Sequence, residues 1–145
     1  MSRIVNRILM SAVIAGALSL PALAGESVQF TAELWDKADG SQGIKLSTDH
    51  VKPGKVEFVA KNVSTGMDHE LLLYKTDAGP ESLPWEKPGV TIDEDQLEDL
   101  EELGDLSVGQ SKSTTLTLKP GKYLLLCNMP GSFKAGMYTA FTVEP

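Results

Sequence analysis

The sequence is poor in the residues that form disulfides and bind nucleic acid. It has one cysteine, only two histidines in 145 residues, and no arginine after Arg7. A single cysteine excludes an intramolecular disulfide, so its thiol calls for another explanation: intermolecular pairing or chemistry. The net charge of −7 argues against nucleic acid and anionic membrane surfaces as partners, because both attract basic patches.

The first 24 residues have the organisation of a secretory signal peptide. Arg3 and Arg7 give a positive start, Ile8–Leu20 is apolar, and Ala22–Ala24 supplies small residues for cleavage. The alternative is an uncleaved anchor, but the apolar run is shorter than the ~20 residues of a spanning helix. The sequence therefore predicts export to the periplasm without stable membrane insertion. The mature domain, residues 25–145, would carry 11 lysines against 20 acidic residues, a net charge of −9.

Short segments of alternating apolar and polar residues dominate the mature chain. Val28–Leu34 and Lys55–Val63 alternate with the period of two that is typical of half-buried strands. Turns containing proline and glycine separate them from other strand-like runs. These further predicted strands are Ile44–Ser47, Glu70–Lys75, Ser113–Leu118, Lys122–Cys127 and Met137–Val143. The pattern predicts an all-β sandwich or barrel.

A strongly acidic connection interrupts the β pattern. Asp93 is a suitable N-cap for a short helix over Glu94–Leu103, and acidic side chains in its first turn favour that start. Leu97, Leu100 and Leu103 would form its apolar edge. Its charged face is either a solvated surface or a docking surface for a basic partner.

The segment from Cys127 to Met137 carries the candidate chemistry. It has the form Cys-x₄-Ser-x₄-Met, and a strand-like run, Tyr123–Leu126, leads into the cysteine. With His69 upstream, these residues offer a thiolate, a thioether and an imidazole, which suit copper. The arrangement resembles the ligand loop of the cupredoxins, the small type 1 blue copper proteins of the plastocyanin and azurin kind. The resemblance covers most of the mature chain and implies a Greek-key β-sandwich with one mononuclear copper site.

The resemblance also assigns roles to the candidate ligands. It makes His69 and Cys127 the strong metal ligands and Met137 the weak axial ligand. Ser132 stands where the family has its second histidine, and a neutral hydroxyl is a weak donor for copper. His50 is an unsuitable replacement, because a strand of eight or so residues would place it over ~25 Å from the metal end.

Three outcomes follow from the serine. Water or an outside ligand fills the vacant position, Met67 or Met129 supplies another thioether, or the site has lost its metal. A set with one imidazole and soft sulfur ligands favours Cu(I), which accepts low coordination. Taken singly, Cys127 could also be an ordinary buried apolar residue, since free cysteines are often buried.

The function that the resemblance implies is one-electron transfer at the copper site. Two alternatives remain, a protein that binds and delivers Cu(I) and a metal-free interaction module. An enzyme is not expected and no catalytic residue is assigned, because no base, oxyanion donors or second metal site accompany the cysteine. The predicted partner is a redox or copper-handling protein, basic if the acidic surface serves docking. The protein itself is expected to be a monomer.

Overall fold

The alternating segments form the strands of two packed sheets in the computed structural model, which describes residues 27–145. The predicted signal peptide, residues 1–24, lies outside the described residues. In spatial order, the first sheet contains β2 (Gln42–Leu46), β1 (Val28–Asp36), β4 (Gly54–Asn62) and β9 (Ser111–Leu118). The second sheet contains β3 (His50–Val51), β11 (Tyr138–Val143), β10 (Gly121–Leu126), β5 (His69–Lys75) and β8 (Glu101–Leu106). This is the predicted β-sandwich.

Strand pairing brings the candidate ligands to one end of the sandwich. β5 and β10 are antiparallel neighbours with Leu72 opposite Leu126, so the start of β5 lies beside the end of β10. β10 and β11 are also antiparallel, with Leu126 opposite Tyr138. His69 begins β5, while Cys127 and Met137 flank the connection from β10 to β11. The topology therefore gathers residues that are up to 68 positions apart in sequence.

The core lies between the sheets and is rich in aromatic contacts. Phe30 and Phe58 from the first sheet pack against Phe141 from the second, with ring centroids 4.9–6.0 Å apart. Tyr123 stacks on Phe141 at 5.3 Å. Each fully buried side chain of this size contributes roughly 1.5–3 kcal/mol through removal of apolar surface from water. The core fixes how the sheets pack and so fixes the frame of the candidate site.

The predicted helix over Glu94–Leu103 is wrong. Only a single 3₁₀ turn forms, Glu94–Gln96, and its cap is as predicted, since Asp93 accepts a hydrogen bond from the Asp95 N–H at 3.2 Å. The chain then enters β8, which pairs with β5. The three leucines do not share one face: Leu103 joins the core between the sheets, whereas Leu97 and Leu100 pack on the other side of the second sheet. Their spacing of three is therefore not a helical stripe.

The connection that contains this turn covers the outer face of the second sheet. Residues 79–97, called here the outer segment, include the short strands β6 (Trp85–Lys87) and β7 (Thr91–Ile92), which pair antiparallel. A second apolar cluster of six buried residues forms between the outer segment, the sheet and the ligand loop. They are Leu72, Leu83, Ile92, Leu124, Leu126 and Phe133. Within residues 27–145, no helix is long and apolar enough to cross a membrane.

Candidate metal centre

His69 is buried in a way that leaves its ring without partners. The residue is 0% exposed, and neither ring nitrogen has a hydrogen-bond partner among the described residues. Burial lowers the pKa of His69, and the charges of Asp36 and Asp68 only partly oppose that effect. A buried polar group without a partner costs roughly 1–3 kcal/mol. The neutral imidazole is also the form that binds metals, through its unprotonated nitrogen.

Cys127 lies next to the start of β5 with its sulfur enclosed. The residue is 0% exposed, and its Sγ accepts a hydrogen bond from the Glu70 N–H at 3.4 Å. Burial raises the pKa of the Cys127 thiol, while the N–H groups of Glu70 and Met129 and the Ser132 hydroxyl act to lower it. Burial therefore favours the protonated thiol of Cys127 over its thiolate.

Met137 and Ser132 complete the set that the sequence predicts. The ligand loop, residues 127–137, returns to the sheet where the Cys127 N–H donates to the Met137 carbonyl at 3.1 Å. The Met137 N–H donates in turn to the Ser132 carbonyl at 3.0 Å. Met137 is 0% exposed. Ser132 is also buried. Its Oγ lies near enough to Cys127 to lower the pKa of the thiol. The same oxygen makes no hydrogen bond with the described residues.

The two spare methionines and the second histidine occupy different environments. Met67 is 44% exposed, and its sulfur accepts from the Gln42 side-chain amide at 3.4 Å. Met129 instead packs against the core cluster that contains Cys127. His50 is exposed, pairs with Asp49 at 2.8 Å and lies beside Thr142, toward the end of β11 away from the ligand loop. Of the three, only Met129 lies next to Cys127, since its backbone N–H acts on the Cys127 thiol.

A buried asparagine organises the loop that leads to His69. The Asn62 side-chain amide donates to the Met67 and Leu106 carbonyls, both at 2.9 Å. Its carbonyl oxygen accepts from the N–H and hydroxyl of Ser64. These bonds hold the 63–68 loop against β8, so that the chain enters β5 at His69 in a fixed direction.

Sequence reasoning missed Glu70 and Asn128, which join the two halves of the site. The Asn128 N–H donates to Glu70 Oε2 at 3.2 Å, one residue beyond Cys127 and one beyond His69. Burial raises the pKa of Glu70 to about 7, and the charge of Glu94 adds to the shift. The only signal in the sequence is that each residue directly follows a predicted ligand.

The donor set fits copper better than it fits hard metals. Within residues 27–145, no three side chains of the His, Cys, Asp and Glu types converge as a metal site. The candidate centre has two of these types, His69 and Cys127, and needs the thioether of Met137 for a third donor. Imidazole with soft sulfur ligands is the chemistry of copper, whereas magnesium and calcium select oxygen. The residues present therefore fit copper, with one strong ligand fewer than a His₂Cys site.

Solved structures share this fold. Rusticyanin from Thiobacillus ferrooxidans aligns with a TM-score of 0.63 and 16% identity, over 83% of this chain and 79% of that chain. Auracyanin from Roseiflexus castenholzii gives 0.51 and 21%, over 83% of this chain and 100% of that chain. Auracyanin B gives 0.54 and 21%, over 83% and 92%. No protein-family model and no curated protein matches the sequence.

These likenesses establish the class of fold. The chain has a β-sandwich fold of the cupredoxin type, as predicted. At such low identity the comparison concerns the fold alone. Function has to be argued from the residues at the site.

Proposed function

We propose that this protein is an exported copper-binding protein that carries one electron at a mononuclear centre. His69, Cys127 and Met137 would hold the metal, and Ser132 would leave the position of a second imidazole without a strong ligand. Bound copper would supply the one-electron oxidation and reduction. Periplasmic location is part of the proposal and rests on the predicted signal peptide and its cleavage after Ala24.

The observation that carries the proposal is the unpartnered ring of His69. An imidazole that is 0% exposed, with no partner for either nitrogen among the described residues, is unfavourable unless something else binds it. The Glu70 N–H that meets the Cys127 sulfur belongs to the next residue, so imidazole and thiol share one small region. A soft metal ion would partner both groups.

Two further facts support copper and redox chemistry. Rusticyanin is described as a copper protein in one solved structure, and reduced forms of rusticyanin and auracyanin have been solved. The site is also sealed: both sulfur ligands and the imidazole are 0% exposed. A buried site excludes water from the metal, and solvent access is one of the factors that set a redox potential, which suits an electron carrier.

A second function, binding and delivery of Cu(I), is favoured by one observation. Met129 is partly buried against the core, and its backbone N–H acts on the Cys127 thiol, so Met129 would be the nearest source of a second thioether. Two thioethers, a thiolate and one imidazole favour Cu(I) over Cu(II). A metal-free interaction module is the remaining alternative.

The test is copper binding by the purified mature protein in both oxidation states, with matched histidine variants. We expect one copper per chain, lost in His69→Ala and Cys127→Ala and retained in His50→Ala. A thiolate charge-transfer band and a reversible potential would support the electron carrier. Tight Cu(I) binding without stable Cu(II) would favour the handling function. If the parent binds neither ion, or if His69→Ala binds as well as His50→Ala, the proposed centre is wrong.

A further inference from the structure

The outer segment, residues 79–97, contacts the ligand loop as well as the sheet beneath it. The Gly131 N–H donates to the Val90 carbonyl at 3.3 Å. The Trp85 ring meets the Phe133 ring edge-on, with centroids 4.7 Å apart and planes at 70°. Backbone and side chains of the loop are therefore both held from the outer side.

The side chain of Asn128 makes most of the hydrogen bonds between the ligand loop and the outer segment. Its Oδ1 accepts from the Ile92 N–H at 2.7 Å, and its Nδ2 donates to the Ile92 carbonyl at 3.1 Å. The same Nδ2 donates to Glu94 Oε1 at 2.6 Å. The side-chain amide thus pairs with Ile92 as a neighbouring strand would. Because Ile92 is only 3% exposed, water could not easily replace Asn128 as its partner.

On its inner side, the ligand loop has a different anchor. The Gln42 N–H donates to the Ala135 carbonyl at 3.0 Å, which ties the far half of the loop to β2. The bonds from Ala135 to Gly131 and from Met137 to Ser132 lie within the loop. They shape the loop and do not attach it to the sandwich. The half that begins at Cys127 is therefore attached mainly through Asn128.

We propose that Asn128 is a positioning residue, through which the outer segment holds the ligand loop closed over Cys127. Its backbone N–H bonds Glu70, which follows His69, while its side chain bonds the outer segment. One residue thus fixes the distance between three parts of the chain. The consequence for the metal rests on the proposed function, but the closure itself does not.

The only cysteine of the chain makes this inference testable without metal. A thiol that is 0% exposed reacts with a disulfide reagent such as DTNB only when the loop opens, so the rate reports local opening. We expect Asn128→Ala to raise the rate in metal-free protein by at least about tenfold, since it removes three hydrogen bonds from the closed loop. Hydrogen exchange at the Ile92 amide should accelerate in parallel.

Two control variants separate local opening from general destabilisation. Tyr123→Phe removes the two bonds of the phenol to Lys119, in the turn between β9 and β10 at the opposite end of β10 from Cys127. Thr91→Val removes a bond to Glu86 within the outer segment that does not reach the ligand loop. Both should leave the thiol rate near that of the parent. The inference is overturned if Asn128→Ala reacts like the parent, or if Tyr123→Phe accelerates as much for the same loss of global stability.

Copper-loaded protein gives a second readout. Asn128→Ala should shift the thiolate charge-transfer band, while Thr91→Val should not, and an unshifted band in Asn128→Ala would count against a positioning role. If the parent binds no copper, the proposed function fails. The thiol rates of the metal-free protein then still decide whether Asn128 closes the loop.

Discussion

Gly136, immediately before the predicted axial ligand Met137, occupies a position that only glycine fits. Its φ of +107° lies beyond the left-handed region that other residues occasionally adopt. A Cβ added there would come within 2.8 Å of the Gln42 carbonyl oxygen. That oxygen belongs to the backbone of β2, so it cannot rotate away as a side chain could. Gly136→Ala should therefore push the ligand loop off the sandwich.

The size of this effect can be estimated from three contributions. Backbone strain at such a dihedral costs about 1–3 kcal/mol, and relieving the clash endangers the bond from the Gln42 N–H to the Ala135 carbonyl, worth about 1 kcal/mol. A reduced entropy of the unfolded chain returns about 0.4–1 kcal/mol. We expect a net loss of roughly 1–3.5 kcal/mol in the free energy of unfolding of metal-free protein, measured by urea denaturation.

A second glycine in the same loop provides the matched control. Gly131 also has a positive φ, +87°, but a Cβ there would meet no atom within 4 Å. Gly131→Ala should show the strain alone, about 1 kcal/mol. It should also retain copper better than Gly136→Ala, in which Met137 is displaced. Equal losses in the two variants would refute the argument that contact with Gln42 fixes the loop.

Three other changes test the site and its surroundings. Ser132→His should strengthen Cu(II) binding and the charge-transfer band, because it supplies the second imidazole without changing loop length; unchanged, colourless protein would show that the loop is not arranged around a metal. Glu70 binds its proton more tightly in the folded protein, where its pKa is about 7 instead of 4.5. Its protonation therefore stabilises the metal-free fold below pH 4.5, and this contribution is lost as the pH rises to about 7. Glu70→Gln should remove this part of the pH dependence of the free energy of unfolding. If that free energy changes with pH in the same way in parent and variant, the prediction is contradicted. Neutralising Asp95, Glu98 and Glu102 should slow association with a basic redox or copper-handling partner and change the free energy of unfolding by less than about 0.5 kcal/mol. If association of the parent with that partner does not depend on salt, steering by these charges is ruled out.

The sequence was most informative where a pattern is local. Alternation with period two follows directly from a strand with one buried face, and Phe30 and Phe58 are buried as that pattern requires. The ligand-loop motif is also local, since Cys127, Ser132 and Met137 fall within one connection. Local patterns were therefore sufficient for the β-sandwich, and the resemblance of the motif to the cupredoxin ligand loop supplied the type of fold. The ligand roles that the motif assigns stay predictions.

Tertiary structure decided which surface each segment meets. Leu97, Leu100 and Leu103 have helical spacing, yet they divide between two apolar clusters on opposite sides of one sheet. Pairing of β8 with β5 satisfies the backbone there, which outweighs the weak local preference for a helix.

The same holds for the contacts around the candidate metal. Asn128 binds Ile92, 36 residues earlier, and Met129 rather than Met67 packs beside the core. No periodicity links such positions, because their meeting depends on how the outer segment folds over the second sheet. The sequence by itself thus determined the strands and the types of donor, while packing determined what encloses them and which neighbours hold them in place.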